Sequence, residues 1–400
     1  MMLALELFRS VPRYLAARAV GERLPGLLAG PLAPVRLVNR DEPLPPGEGW
    51  ARVRPRLSGI CGSDLATVAG RASFYFSPLV SMPFVPGHEV VGELHDDLDD
   101  LPAGTRVVLE PVLSCLARGL DPCPSCTAGR RDRCDRVTVG HVAPGLQTGY
   151  CADTGGGWGE VLVAHRSQLH PVPDHLPDER AVLVEPLACA LHAVLRARPE
   201  PGATVLVVGA GTVGALCLLA LREFTQAGRV LVVAKHGRQR ELARRLGATD
   251  VVGTAEAVAA LRRATGALRL TPERGLPFLL GGVDVALDCV GSRSSLDLAL
   301  RTTRAGGRVV LAGMPESGVD LSPVWFRELE VVGAYAAATE LTDGGPVREF
   351  DLALELAREA PLDGFVGAVY PLARWREALD HAFSAGRLGT LKVAFDPRRG

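Results

Sequence analysis

Four cysteines, Cys115, Cys123, Cys126 and Cys134, fall in one short segment with the spacing C-x7-C-x2-C-x7-C. Four thiolates complete a tetrahedral zinc with no open corner, which makes a structural site. Pro122, Pro124 and Gly129 supply the turns such a loop needs. Redox thiols or buried apolar cysteines are the alternatives. A nucleic-acid finger fits less well, because Arg118, Arg130, Arg131, Arg133 and Arg136 are partly offset by Asp121, Asp132 and Asp135. A second set is dispersed. Gly59-Ile60-Cys61-Gly62-Ser63-Asp64 carries a thiol, Gly87-His88-Glu89 an imidazole and a carboxylate, and Val184-Glu185-Pro186 another carboxylate. One Cys, one His and one Glu leave a zinc an open position for water or substrate. Taken singly, each has a plainer reading: Cys61 buried, His88 in a loop, Glu185 capping a helix.

The third constellation is Gly209-Ala-Gly211-Thr212-Val213-Gly214, a G-x-G-x-x-G between an apolar strand and a helix. In that setting Gly209 makes the tight turn, Gly211 admits a pyrophosphate and Gly214 lets the helix pack close. The helix N-terminus offers N–H groups and a positive dipole end to the phosphates. NAD-preferring sites end the next strand with Asp or Glu. Here Ala234 is followed by Lys235, His236, Gly237, Arg238 and Arg240. Cations without a carboxylate favour a 2′-phosphate, so NADP is expected over NAD. The alternative is a solvated basic loop.

The elements that position these groups read as two kinds. Up to about Val184, Pro, Gly and short β-branched runs predict a mostly-β domain, with strands near Trp50–Val53, Val90–Leu94, Arg106–Leu109 and Glu160–Val163. From about Pro199, strands at Thr204–Val208, Arg229–Ala234, Val283–Cys289 and Arg308–Ala312 alternate with helices at Gly211–Phe224 and Gln239–Leu246. That alternation predicts a parallel, doubly wound α/β sheet. Ala305-Gly306-Gly307 reads as a turn, and Thr390–Phe395 as a closing strand. The expected domains are 1–190 with 340–400, β-rich and bearing a zinc lobe near 115–134, and 191–339, which binds the dinucleotide.

Bulk properties narrow the function classes. The chain has 400 residues, 47% hydrophobic and 22% charged, with a formal net charge of -1. Nothing global draws it to nucleic acid or an anionic membrane. Thr204–Leu221 is uncharged and near membrane-spanning length, but its glycines favour a strand, a turn and a helix. Met1–Leu28 carries Glu6, Arg9, Arg13 and Arg18 among apolar residues and holds no signal-peptide core, although a transit peptide stays open. Clustered cysteines without a signal peptide favour a reducing, cytoplasmic setting.

Taken in order, G-I-C-G-S-D, P-G-H-E, the four-cysteine lobe, E-P-L-A (Glu185 to Ala188), G-A-G-T-V-G and the closing G-x-L-K-V (Gly389 to Val393) resemble the zinc-containing medium-chain dehydrogenase/reductase family, from about Pro34 onward. The resemblance implies a GroES-like catalytic domain and a Rossmann domain. It implies that Cys61, His88 and Glu185 hold a catalytic zinc, with Glu89 a ligand or nearby alternate. Asp64 would orient His88, Ser63 would take the substrate proton, and Val290 and Gly291 would lie near the nicotinamide. It also implies a homo-oligomer, dimer or tetramer. Three departures stand out. Leu120 occupies the usual first lobe cysteine, so Cys115 must replace it. Ala66 stands where a relay His is common, and the stretch before Pro34 has no assigned role.

The chemistry expected is hydride transfer between an alcohol or carbonyl substrate and NAD(P), with zinc as Lewis acid on the substrate oxygen. A zinc-independent enone or quinone reductase is the alternative within enzymes. A non-catalytic NADP-binding protein with a structural zinc is the alternative outside them. Phe74, Tyr75, Phe76 and Trp158 are candidate pocket walls.

Overall fold

Met2–Leu7 is almost wholly apolar and forms β1, whose Met2, Ala4, Leu5 and Leu7 are buried. The computed structural model describes residues 1–21, 25–30, 32–342 and 345–399; residues 22–24 of the N-terminal stretch lie outside the described residues. After α1 (Val11–Val20), β2 (Val35–Arg40) returns antiparallel to β1, with Met2 opposite Arg40. The stretch before Pro34 thus has a structural task. Met2, Leu5, Ala29 and Ala33 join a core containing Phe84, Trp158, Leu379 and Phe395. Truncating a buried aromatic such as Phe84 to Ala costs about 3–5 kcal/mol.

The chain continues through β3 (Trp50–Gly59), α2 (Gly62–Val68), β4 (Glu89–Leu94), β5 (Arg106–Leu109), α3 (Pro124–Thr127), β6 (Leu162–His165), β7 (Leu169–Pro171), α4 (Asp178–Ala181) and α5 (Val184–Ala197). Next come β8 (Thr204–Val208), α6 (Thr212–Phe224), β9 (Arg229–Val233), α7 (Gly237–Arg245), β10 (Asp250–Val252) and α8 (Ala257–Thr265). The hairpin β11 (Leu268–Leu270) and β12 (Phe278–Leu280) precedes β13 (Val283–Asp288), α9 (Arg293–Thr302), β14 (Thr303–Leu311), α10 (Ser322–Arg327) and β15 (Glu330–Gly333). The end is β16 (Thr339–Thr342), β17 (Gly345–Arg348), α11 (Glu349–Glu359), β18 (Val366–Tyr370), α12 (Trp375–Leu388) and β19 (Lys392–Phe395).

These elements form two units, Met1–Glu185 with Ala337–Gly400, and Pro186–Ala336. The second holds a parallel sheet ordered β10-β9-β8-β13-β14-β15. This is the doubly wound order, whose strand direction of travel reverses between β8 and β13 and opens a crevice there. Val205, Leu206, Val207, Val232, Ala286 and Val309 are buried in its strands, as expected of a parallel sheet covered on both faces. β14 spans Thr303–Leu311, but its pairing with β13 jumps from Val283–Thr303 to Val285–Arg308, so Ala305-Gly306-Gly307 bulge out of the ladder with Gly306 at φ +64, a turn within the strand's bounds. Among the described residues no helix is long and apolar enough to cross a membrane; Thr204–Leu221 divides into β8 and α6.

In the first unit the main sheet runs β18-β19-β3-β4-β5-β7, with β6 also on β3. Two pairings matter for chemistry. Gly59 at the end of β3 faces Glu89 at the start of β4, and β19 lies on the other side, with Ala394 opposite Gly59. This GroES-like first unit brings residues from three distant segments together where β3, β4 and β19 adjoin.

A buried ionic knot joins β5 and β7 to α11. His170 Nε2 lies 2.9 Å from Glu110 Oε2, Arg348 donates to the same oxygen at 2.6 Å, and the His170 ring stacks on Phe350 at 4.6 Å. Burial alone would raise the Glu110 carboxyl, but His170 and Arg348 outweigh it and hold it below its ordinary value. A carboxyl depressed in the folded state stabilises above its unfolded pKa of about 4.3 and loses that contribution as pH falls through the folded value. Melting temperatures of the wild type and Glu110→Gln should therefore differ near neutrality and converge at acid pH. Parallel curves down to about pH 3 would contradict this.

Candidate active site and zinc centres

The four-cysteine loop closes on itself. The sulfurs of Cys115, Cys123, Cys126 and Cys134 all lie within 4.8 Å of one another, and those of Cys115 and Cys134 are 3.5 Å apart. The Cys123 N–H donates to the Cys115 sulfur and the Arg136 N–H to the Cys134 sulfur, both at 3.4 Å. Burial pushes the Cys123 thiol up, but the N–H groups of Asp135 and Cys126 outweigh it and bring the thiol down to about 7. Four soft donors at this spacing fit a structural zinc. Cys115 reaches the group from beyond Leu120 because Ser114–Leu120 folds into a tight turn, with the Leu120 N–H on the Cys115 carbonyl at 3.0 Å.

The dispersed set converges in part. Cys61 caps the start of α2, and its N–H donates to Asp64 Oδ2 at 3.1 Å. Asp64 is buried, and its Oδ1 lies 3.4 Å from His88 Nδ1, out of line for a hydrogen bond. The Cys61 thiol is near enough to act on the charge of the His88 ring. Burial opposes a charged imidazole here, yet Asp64 and Cys61 hold His88 well above its ordinary range. Such a buried negative field is answered by a cation. A thiol and an imidazole with a carboxylate behind its other nitrogen suit zinc in particular.

The carboxylates are arranged less simply. Lys392 Nζ lies 2.6 Å from both oxygens of the buried Glu89 and 3.4 Å from the Ile60 carbonyl. Burial alone would lower this ammonium; Glu89, then Cys61 and Glu185, hold it above its ordinary value. Gly59 makes room for Glu89, since a Cβ there would stand 1.9 Å from Glu89 Oε2. Glu185 is buried at the start of α5. Among the described residues only the four-cysteine group brings three or more such donor atoms within 4.8 Å of one another, so Cys61, His88 and Glu185 stand wider apart than that.

In the second unit the glycine-rich turn joins β8 to α6, and Thr212 and Val213 open α6. Gly209 has φ +92, and a Cβ there would lie 2.3 Å from Val290 Cγ2. Gly214 has no room for a side chain, because a Cβ would stand 1.9 Å from the Gly209 carbonyl oxygen. Val290 and Gly291 follow β13, and their N–H groups both donate to Asp288 Oδ1 at 3.1 Å. The switch-point crevice is therefore lined by Gly209 on one strand end and Val290 on the other. After β9, Lys235 and Arg238 are exposed, whereas Arg240 donates to the Ala234 and Lys235 carbonyls at 3.2 and 3.0 Å. Burial, then Lys235 and Arg240, hold His236 below the ordinary imidazole range, which registers a positive local field.

Sequence reasoning assigned no role to Lys392 or Tyr150. The Tyr150 hydroxyl is 3.2 Å from Thr67 Oγ1 and 3.4 Å from Asp64 Oδ1, and its ring lies beside His88. The only signal for Lys392 was its place in the closing G-x-L-K-V run; Tyr150 had none. Trp158 is not a pocket wall. It is fully buried and packs edge-on against Phe395. Phe74 and Tyr75 are exposed, with Phe74 against Tyr14.

Comparison with known proteins agrees with this layout. Residues 47–174 match the alcohol dehydrogenase GroES-like domain, and residues 212–355 match the zinc-binding dehydrogenase family. The chain is 32% identical over 289 residues to an L-idonate 5-dehydrogenase of Vitis vinifera, covering 71% of this chain and 72% of the relative. It is 29% identical over 318 residues to a sorbitol dehydrogenase of Bacillus subtilis (strain 168), covering 78% and 80%. A crystal structure from Sinorhizobium meliloti 1021, described as a zinc-binding dehydrogenase bound to NADP, is 26% identical, covers 99% of this chain and 100% of its own, and superposes with a TM-score of 0.70. The chain belongs to the zinc-binding medium-chain dehydrogenase/reductase family, related to sorbitol and idonate dehydrogenases, and is an oxidoreductase acting on alcohols or carbonyls with NAD(P).

Proposed function

We propose that this enzyme oxidises a secondary hydroxyl of a polyol or sugar acid, or reduces the matching ketone, using NADP and a zinc held by Cys61, His88 and Glu185. The observation that carries the reading is the Cys61–His88–Asp64 group, with His88 and Asp64 buried, beside the adjacent ends of β3 and β4. The substrate class rests on the idonate and sorbitol dehydrogenases among its relatives. Lys392 occupies both Glu89 oxygens, which supports Glu185 as third ligand.

Bound there, zinc would supply Lewis acidity to the substrate oxygen, and the nicotinamide would accept or donate the hydride. The protein's own groups do the rest. Asp64 fixes the His88 ring and its tautomer. Ser63, on the first turn of α2, takes the substrate proton. Tyr150, whose phenol is raised by burial and by Asp64, stays neutral and ties Asp64 to Thr67 beside the site. Gly209, Gly211, Thr212, Val213 and Gly214 would hold the pyrophosphate, and Val290 and Gly291 the nicotinamide. A reducing, cytoplasmic setting suits nine cysteines without a disulfide. Exposed Leu321, Trp325 and Phe326 at α10 support a homo-oligomer, dimer or tetramer.

Initial rates with sorbitol, xylitol, idonate and simple secondary alcohols test the substrate class. Turnover of enones alone would overturn it in favour of the zinc-independent reductase reading. Cofactor choice is tested separately. Catalytic efficiency should be about tenfold or more higher with NADP than with NAD, and Lys235→Ala/Arg238→Ala should remove most of that margin. A wild-type preference for NAD would reverse the assignment.

A further inference from the structure

Arg118 is fully buried, and its guanidinium meets backbone carbonyls rather than a carboxylate. Nε donates to Leu113 at 3.1 Å. One terminal nitrogen donates to Val139 and Val142 at 3.0 Å and to Ala143 at 3.4 Å. The other donates to Gly145 at 2.7 Å and to Ala143 at 3.4 Å. All the N–H groups of the fork thereby find acceptors. Burial lowers the guanidinium below its ordinary value.

Two features of the cage matter. The carbonyls come from both sides of the cysteine loop: Leu113 precedes Cys115, and Val139–Gly145 follows Cys134. The Arg118 backbone also belongs to the Cys115 turn, its N–H donating to the Ser114 and Cys115 carbonyls at 3.1 Å and its carbonyl accepting from the His141 N–H at 3.0 Å. Cys115 is the ligand that replaces Leu120, so it must be held by something other than the usual short spacing.

We propose that Arg118 is the internal template of the four-cysteine site: its guanidinium and backbone pin the Cys115 turn to the Val139–Gly145 segment and so hold Cys115 in place to bind the metal. Arg118 is a positioning residue, not a ligand. Lysine cannot reproduce this, because one ammonium cannot reach carbonyls spread over both segments.

The inference rests on the reading of the lobe as a zinc site, and the test separates the two. Zinc per chain is measured, and its release to a chromogenic chelator is followed, in the purified wild type, Cys115→Ser, Arg118→Lys and Arg118→Met. Cys115→Ser should lose one zinc. If it does not, the zinc-site reading itself fails. Arg118→Met should release the lobe zinc about tenfold or more faster than wild type, with Arg118→Lys between them. The rise in melting temperature that zinc gives the chelator-treated protein should shrink in both. Wild-type release rates and an undiminished zinc-dependent rise in a folded Arg118 variant would overturn the proposal while leaving the zinc site standing. If Arg118→Met does not fold, Arg118→Lys decides by the same two readouts.

Discussion

His88→Ala is expected to lower kcat/KM about a thousandfold or more while leaving NADPH binding unchanged. The magnitude follows from charge. A Lewis acid on the substrate oxygen supplies several kcal/mol of transition-state stabilisation, and about 4 kcal/mol corresponds to a thousandfold. His88 lies just before β4, next to Asp64 and Cys61 and away from the Gly209–Gly214 turn in sequence, so its loss should not alter the dinucleotide site. Cys61→Ser should behave alike, because the hydroxyl is a poor substitute for a thiolate toward zinc. NADPH affinity is read by fluorescence titration alongside steady-state rates. Metal-depleted His88→Ala protein that still turns over would contradict the mechanism.

Lys392→Met should destabilise the fold by about 3–5 kcal/mol, since it strands a buried carboxylate. Glu89 is 1% exposed and has Lys392 on both oxygens at 2.6 Å, so nothing of opposite charge replaces the ammonium. The expected fall in melting temperature is roughly 6–20 °C for a unit of this size. The double variant Lys392→Met/Glu89→Gln should recover most of the loss, because the uncompensated charge is gone. Equal melting temperatures for Lys392→Met and wild type would show that the pair contributes no net stability. Failure of the double variant to recover would mean that packing, not charge, is what Lys392 provides.

What could be read from the sequence was what is local in it. The glycine-rich turn is legible because strand, turn and helix are consecutive. The four cysteines are legible because metal ligands in one loop leave a fixed spacing. The doubly wound sheet follows from alternating apolar strands and amphipathic helices. Long-range features left little trace. Lys392 meets Glu89 across 303 residues, and only the pairing of β19 with β3 brings them together. Arg118 looked like one of several surface arginines around the lobe, since a carbonyl cage has no sequence signature. Trp158 looked like a loop aromatic, and its burial against Phe395 depends on a strand from the far end of the chain. Ala305-Gly306-Gly307 was legible as a turn because its glycines allow the left-handed backbone at Gly306, and the segment does leave the ladder with β13. The opening residues carried no motif, and their role is apolar burial.

The central claim is that Cys61, His88 and a glutamate hold a second, catalytic zinc in addition to the one in the cysteine lobe. Anomalous diffraction from crystals of the zinc-loaded enzyme, recorded on either side of the zinc absorption edge, addresses it directly. The account predicts two peaks per chain, one amid the four lobe sulfurs and one in contact with both the Cys61 sulfur and the His88 ring. A single peak at the lobe, in crystals of enzyme shown to be active, would contradict it.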